Sequence, residues 1–138
     1  MKKITHILLI GLISMSLMVI GCGGKYSDVK KINEKYIDLV KDYIADLEGA
    51  DNAKNVAKAI NRFADGVEDI WPKMQKLAKK YPELKNKSNP PEELKETQKR
   101  AEKMGMKMGS SMMKIMPYMG DAEVQKAQKR LATIMMKK

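Results

Sequence analysis

Apolar residues recur at alternating steps of three and four along most of the chain, a spacing that places them on one face of an α-helix. The longest series consists of Val56, Ile60, Phe63, Val67, Ile70, Met74, Leu77, Tyr81 and Leu84. An earlier series consists of Val29, Ile32, Tyr36, Leu39, Val40, Tyr43, Ile44 and Leu47. Trp71 falls within the arc of the longest series, so we expect it in the core and not at a ligand site. The pattern predicts a helical protein.

Capping residues and a proline predict the ends of the first two helices. Ser27 is the expected N-cap of the first helix, and Gly49 follows its end. Asp51 or Asn52 is expected to cap the second helix. Pro72 lies inside that second helix, where it removes a backbone hydrogen bond and is expected to kink or restart the helix.

A proline-rich linker over residues 82–91 separates the second helix from the third. Asn89 and Glu92 resemble a capping box, with Pro90 at the first helical position. The third helix is expected to run to about Met116, because the next residue is a proline and disfavours helix before it.

A fourth helix is predicted from Asp121 to about Met136, with Val124, Ala127, Leu131, Ile134 and Met135 as its apolar positions. Four amphipathic helices joined by short loops predict an all-α domain over residues 28–138, an antiparallel up-down four-helix bundle.

The start of the chain has the layout of an export signal. Lys2 and Lys3 precede an apolar stretch over residues 7–20, which is short for a membrane-spanning helix. The stretch ends in Val19-Ile20-Gly21-Cys22, which resembles the lipobox of bacterial lipoproteins. The resemblance implies that residues 1–21 are a cleaved signal peptide and that Cys22 carries lipid, palmitate among its acyl chains. A plain signal peptide or an uncleaved anchor is the alternative.

Lipidation of Cys22 would hold the protein at a membrane, because two or three acyl chains anchor firmly where one binds only marginally. Residues 22–27 would then form a short tether. In Gram-negative lipoproteins Asp after the cysteine favours retention in the inner membrane. Gly23 in that position therefore implies the outer membrane, facing the periplasm, if the host is Gram-negative.

Composition argues against an enzyme. The only histidine, His6, would leave with the signal, and lipid would consume the only thiol, so no Cys or His nucleophile, zinc cluster or disulfide is expected. Asp65, Glu68 and Asp69 lie close together, but helical spacing places them on the solvated side. We therefore expect no catalytic residues and no cofactor.

The predicted bundle resembles the periplasmic four-helix b-type cytochromes, on Ala50-Asp51-Asn52-Ala53, on Pro91-Glu92, and on Gly120 with Val124 and Ala127-Gln128. Members of that family ligate haem through a methionine in the first helix and a histidine near the end of the last. Here the methionine position falls on Ile37, and the histidine position lies beyond Lys138. The resemblance supports a bundle and argues against haem.

Seven methionines occur between Met104 and Met119. Helical spacing predicts one core-facing set, Met104, Met108, Met112, Ile115, Met116 and Met119. Thioethers also suit Cu(I), which makes Met108, Met112, Met113 and Met116 an alternative metal site, although no metal is our primary expectation. A further set falls outside the core-facing arc and predicts a partner-binding edge: Gly105, Met106, Gly109 and Met113.

Charge is distributed unevenly along the chain. Beyond the predicted signal there are 25 basic and 17 acidic residues, and the basic excess lies after Asp69. An exported, anchored protein with one Trp and one Phe is not expected to meet nucleic acid, so anionic phospholipid headgroups are the nearer partner. In an up-down bundle the start of the first helix, the link between the second and third, and the chain end share one pole. The lysines predicted to face the membrane there are Lys73, Lys76, Lys79, Lys80, Lys85 and Lys87.

These features predict a membrane-anchored envelope lipoprotein that binds another envelope protein as a scaffold or adaptor. The alternative is a bundle that binds soft metal or a small apolar ligand through the methionine-rich third helix.

Overall fold

The computed structural model describes residues 23–85 and 89–137, and within them the chain forms four α-helices. These are α1 (Ser27–Glu48), α2 (Ala53–Lys80), α3 (Glu92–Ile115) and α4 (Ala122–Met136). Short 3-10 helices, Pro82–Lys85 and Met116–Tyr118, stand before and after α3. No strand occurs in this part of the chain, so the predicted all-α four-helix bundle is confirmed. The predicted signal peptide, Cys22, Lys87 and Lys138 lie outside the described residues.

The helix ends agree with the sequence within a few residues, but two predicted caps are wrong. Ser27 is the first residue of α1, and Tyr26 before it has no capping hydrogen bond. At α3 the residue before the helix is Pro91, so Asn89 is not the cap. Asn52 does cap α2, because its side chain accepts from the Asn55 N–H at 2.9 Å.

The proline in α2 does not restart the helix, which continues through Pro72 to Lys80. Proline leaves the carbonyl four residues earlier without its helical donor. That residue, Glu68, is exposed, where loss of the helical donor costs less than it would in the core. Buried residues on both sides of Pro72, Ile70 and Tyr81, hold the two halves against the bundle.

Consecutive helices run in opposite directions, but the side-by-side partners are not all consecutive. Helix α1 packs against α2 and α3, and α2 packs against α1 and α4. Ion pairs mark each interface: Asp46 with Arg62 between α1 and α2, Glu34 with Arg100 between α1 and α3, and Asp65 with Arg130 between α2 and α4. In the described structure α3 and α4 form no extended interface with each other.

The main core lies between α1 and α2 and extends to the end of α3 and to α4. Tyr43 and Phe63 stack at its centre, with ring centroids 4.4 Å apart. Gly66 lets α1 approach closely, because a Cβ there would meet the Leu39 side chain at 2.3 Å. The largest fully buried side chains of this core are Leu47, Ile60, Ile115, Val56 and Val124.

The prediction that Trp71 lies in the core is only partly correct. The side chain is half-buried against the main core, and its indole N–H donates to the Lys137 carbonyl at 3.1 Å. Gln75 donates to the same carbonyl at 2.6 Å. The end of α4 therefore lies beside the last third of α2 and stops short of the pole that we had expected it to reach.

Candidate functional site

A second, smaller apolar cluster closes the end of the bundle at which the described chain begins. Tyr26, Val29, Tyr81 and Leu94 are buried in it, and Leu77 and Leu84 pack against it. The Tyr26 and Tyr81 rings meet edge to face, with centroids 5.2 Å apart. The cluster joins the start of α1, the end of α2 and the start of α3. We call it the tether pole, because Cys22 lies four residues before Tyr26.

Hydrogen bonds tie the first described residues to this pole. The Tyr81 hydroxyl donates to the Lys25 carbonyl at 2.9 Å and lies 3.1 Å from an Asp28 carboxylate oxygen. The Lys25 ammonium pairs with Glu83 at 2.8 Å, and the Tyr26 hydroxyl donates to that carboxylate at 3.0 Å. The chain is therefore fixed to the bundle from Lys25 onwards.

Two ion pairs set the electrostatics of the tether pole. A hydrogen bond from Lys25 lowers the pKa of Glu83 from 4.5 to about 2. A hydrogen bond from Lys80, which lies 2.8 Å away, lowers the pKa of Asp28, and a bond from the Tyr81 hydroxyl acts in the same direction. The same contacts raise the pKa of both lysines, so both pairs are fully charged at neutral pH.

Acid should loosen the tether pole before it melts the main core. Because folding lowers the pKa of Glu83 and Asp28, their contribution is present above pH 4.5 and is lost as the pH falls towards 2. Amide protection factors, which correct for the intrinsic pH dependence of exchange, should therefore fall at the start of α1 and of α3 over this range, while those at the centre of α2 stay high. An equal fall at both places, or none at the pole, would contradict this assignment.

The sequence revealed only part of this pole. Tyr81 belongs to the periodic series of α2, and it was predicted to be buried. Tyr26 was counted with the tether, although it lies three residues before Val29 and so continues the α1 face. The free tether is thus shorter than predicted. A Cβ on Gly24 would meet the Glu93 carboxylate, which is the end of an exposed, flexible side chain.

The predicted membrane-facing lysines divide into two groups. Lys80 is paired with Asp28, and Lys73 is paired with Asp69 at 3.3 Å. A second group is exposed and has no carboxylate partner within the described ranges: Lys76, Lys79 and Lys85. The number of lysines free to meet an anionic surface is therefore smaller than the sequence suggested.

The methionines of α3 do not all belong to the core. Met104 and Met108 pack against it, as predicted, and so does Met119 beyond the helix. Met112 and Met116 were predicted to be buried, but they are 37% and 66% exposed. The prediction failed because it assumed a packing partner on that side of α3, whereas α4 packs along α2 instead.

Met106 and Met113 are 72% and 71% exposed, and the glycines beside them face open space. A Cβ on Gly105 or Gly109 would meet nothing within 4 Å. Met112 and Met116, which were wrongly predicted to be buried, adjoin these residues. Together they form one exposed apolar strip along α3. We call this strip the methionine edge: Gly105, Met106, Gly109, Met112, Met113 and Met116.

Basic residues predominate around the methionine edge, although the exposed Glu102 lies three residues before Gly105. No Asp or Glu occurs from Lys103 to Gly120. The lysines of this segment, Lys103, Lys107 and Lys114, are exposed and have no carboxylate partner in the described structure. The edge therefore combines apolar contact area with positive charge.

The four methionines of the alternative Cu(I) site are spread along α3. Met108 and Met116 are eight residues apart, which is about 12 Å along a helix axis. Met112, Met113 and Met116 lie within little more than one turn and are exposed. Among the described residues there is no group of three or more His, Cys, Asp or Glu side chains that could hold a metal ion.

The acidic trio of α2 is engaged in ion pairs. Arg130 of α4 lies 2.6 Å from Asp65 and 3.3 Å from Glu68, and Asp69 pairs with Lys73. Each carboxylate therefore pairs with a neighbouring cation, and two of the three, Asp65 and Glu68, connect α4 to α2.

Among the depressions on the described part of the bundle, two can be compared with ligand sites. A cavity of about 110 Å³ between α1 and α3 is lined by Tyr36, Ile37, Val40, Ala101, Met104, Gly105 and Met108. Ligand pockets usually measure about 300–1,000 Å³. A larger, open groove of about 490 Å³ lies beside Gly23 and Gly24, and its charged lining is balanced: Lys30, Lys31, Lys35, Glu34, Asp38 and Glu93.

None of the described helices is long and apolar enough to cross a membrane. No family model matches the chain, and neither a curated protein nor a solved structure shows significant similarity to it.

Proposed function

We propose that this protein is a lipid-anchored protein of the bacterial cell envelope that binds another envelope component as a scaffold or adaptor and is not an enzyme. The observation that best supports this is the tether pole. It fixes the chain to the bundle three residues after the cysteine of the lipobox-like sequence, so a lipid on Cys22 would set the position of the whole domain.

The reach of the tether determines how close the bundle lies to the membrane. The Lys25 carbonyl is held by the Tyr81 hydroxyl. An extended chain from Cys22 to Lys25 spans at most about 11 Å. The tether pole would therefore face the headgroups, with Lys76, Lys79 and Lys85 near anionic phospholipid. In a Gram-negative host, Gly23 favours the outer membrane and the periplasmic side.

This placement points the methionine edge away from the membrane. Helix α3 starts at the tether pole, and Met106 and Met113 lie 14 and 21 residues beyond Glu92. At 1.5 Å per residue these distances are about 21 and 32 Å along the axis. The edge is then accessible to a protein partner and too far from the bilayer to serve as its contact.

The anchor is tested by Cys22→Ala, which removes the sulfur that would carry the lipid. In cells fed labelled palmitate, the wild-type protein should incorporate the label and Cys22→Ala should not, with the variant accumulating at precursor size. If the signal peptide of Cys22→Ala is still cleaved at another site, the variant should also be absent from the membrane fraction. Equal label in both proteins would overturn the lipoprotein assignment.

A further inference from the structure

We propose that the methionine edge is the docking surface for an acidic amphipathic helix of a partner protein. This deepens the proposed function, because it names the class of partner that the anchored domain would bind. The surface is the side of α3 that α4 leaves uncovered, and it runs about 16 Å from Gly105 to Met116, or three helical turns.

The shape of the edge suits a helix. Gly105 and Gly109 are one turn apart on α3, and each faces open space. Without side chains there, the backbone of a second helix approaches closely, while the exposed thioethers on either side pack around it. Met is the apolar side chain that adapts most easily to a partner's surface.

The two glycines lower the intrinsic helix propensity of α3. Glycine in a helix interior is less favourable than alanine. Nothing in the bundle requires glycine at these two positions, since a Cβ would meet no neighbour within 4 Å. At Gly66, by contrast, a Cβ would meet Leu39, so packing within the bundle accounts for that glycine.

Charge complementarity makes the partner acidic. Lys99, Lys103 and Lys107 are spaced by four residues and form an exposed row beside the edge, and Lys103 is one turn from Met106. From Lys99 to Gly120 the sequence has five basic residues and one acidic residue, Glu102. A partner helix with Glu or Asp flanking an apolar ridge would pair with this row. A second copy of α3 would instead bring like charges together.

The test uses the mature lipoprotein in nanodiscs of zwitterionic phosphatidylcholine and a fluorescent synthetic peptide. The peptide is an amphipathic helix with leucine at positions i, i+3, i+4 and i+7 and glutamate on its flanks. Its control has lysine in place of every glutamate, and empty nanodiscs measure binding to lipid. Fluorescence anisotropy should show saturable binding of the acidic peptide at least tenfold tighter than that of the basic one.

Two double variants locate the binding surface. Gly105→Leu with Gly109→Leu fills the open strip and should weaken the acidic peptide at least tenfold, while thermal unfolding shows an intact fold. Lys103→Glu with Lys107→Glu should weaken it similarly. The matched control, Lys54→Glu with Lys58→Glu, makes the same charge change at exposed lysines of α2 and should leave binding unchanged.

Four results would overturn the proposal: equal binding of both peptides, undiminished binding by the glycine variant, equal loss in the α2 control, or a dimer of the protein that the glycine variant abolishes. The last result would make a second copy the occupant. Because the nanodisc experiment measures docking and palmitate labelling measures anchoring, failure of one proposal is distinguishable from failure of the other.

Discussion

Replacing Ile115 with alanine is expected to lower the free energy of unfolding by about 3 kcal/mol, whereas Met113→Ala should change it by less than about 0.5 kcal/mol. The two residues lie half a turn apart on α3, but Ile115 is 1% exposed and Met113 is 71% exposed. Truncating the isoleucine leaves a cavity among the main-core residues. Truncating the methionine removes only surface that already contacts water.

Urea unfolding followed by circular dichroism would measure both variants against the wild type. The midpoint should fall clearly for Ile115→Ala and stay in place for Met113→Ala, with an unchanged slope against urea in both cases. A loss of 2 kcal/mol or more in Met113→Ala would mean that the methionine edge is buried in the free protein. That result would contradict the docking proposal, because the methionine edge would not be accessible to a partner.

The sequence predicted the helices well because amphipathic spacing is a local property. The buried run from Val56 to Ile70 lies in α2 as the periodicity indicated. The same spacing does not specify which helix covers a given face. Met112 and Met116 share the apolar arc of α3 with Ile115, but only Ile115 meets the core, because α3 packs beside α1 and α4 packs beside α2.

The tether pole shows a second limit of sequence reasoning. Lysines counted from the sequence appear equivalent, but their surroundings depend on residues far away in the chain. Lys80 pairs with Asp28 across 52 positions, and Lys25 pairs with Glu83 across 58. Both cations form ion pairs between the region where α1 starts and the region where α2 ends, so their replacement would change the local contacts of the tether pole and the surface charge together. A test of membrane contact therefore has to replace lysines that form no ion pair in the described structure.

Changing Lys76, Lys79 and Lys85 to glutamine is expected to weaken binding to anionic vesicles about 100-fold at 0.1 M salt, because each lysine near an anionic surface contributes about fivefold in affinity. The measurement uses residues 23–138 without lipid, so that binding reports charge alone, and vesicles containing phosphatidylglycerol at a fixed fraction. These three lysines are exposed and have no carboxylate partner in the described part of the chain, so the fold should be retained.

The matched control changes Lys103, Lys107 and Lys114, which are equal in number and also exposed but lie on α3 beside the methionine edge. If the tether pole faces the bilayer, this variant should keep most of its vesicle binding, because screening at 0.1 M salt confines the attraction to about 10 Å. Binding of the wild type should disappear at 1 M salt. Equal losses from the two triple variants would show that net charge drives vesicle binding without orientation, and the upright arrangement of the bundle would have to be abandoned.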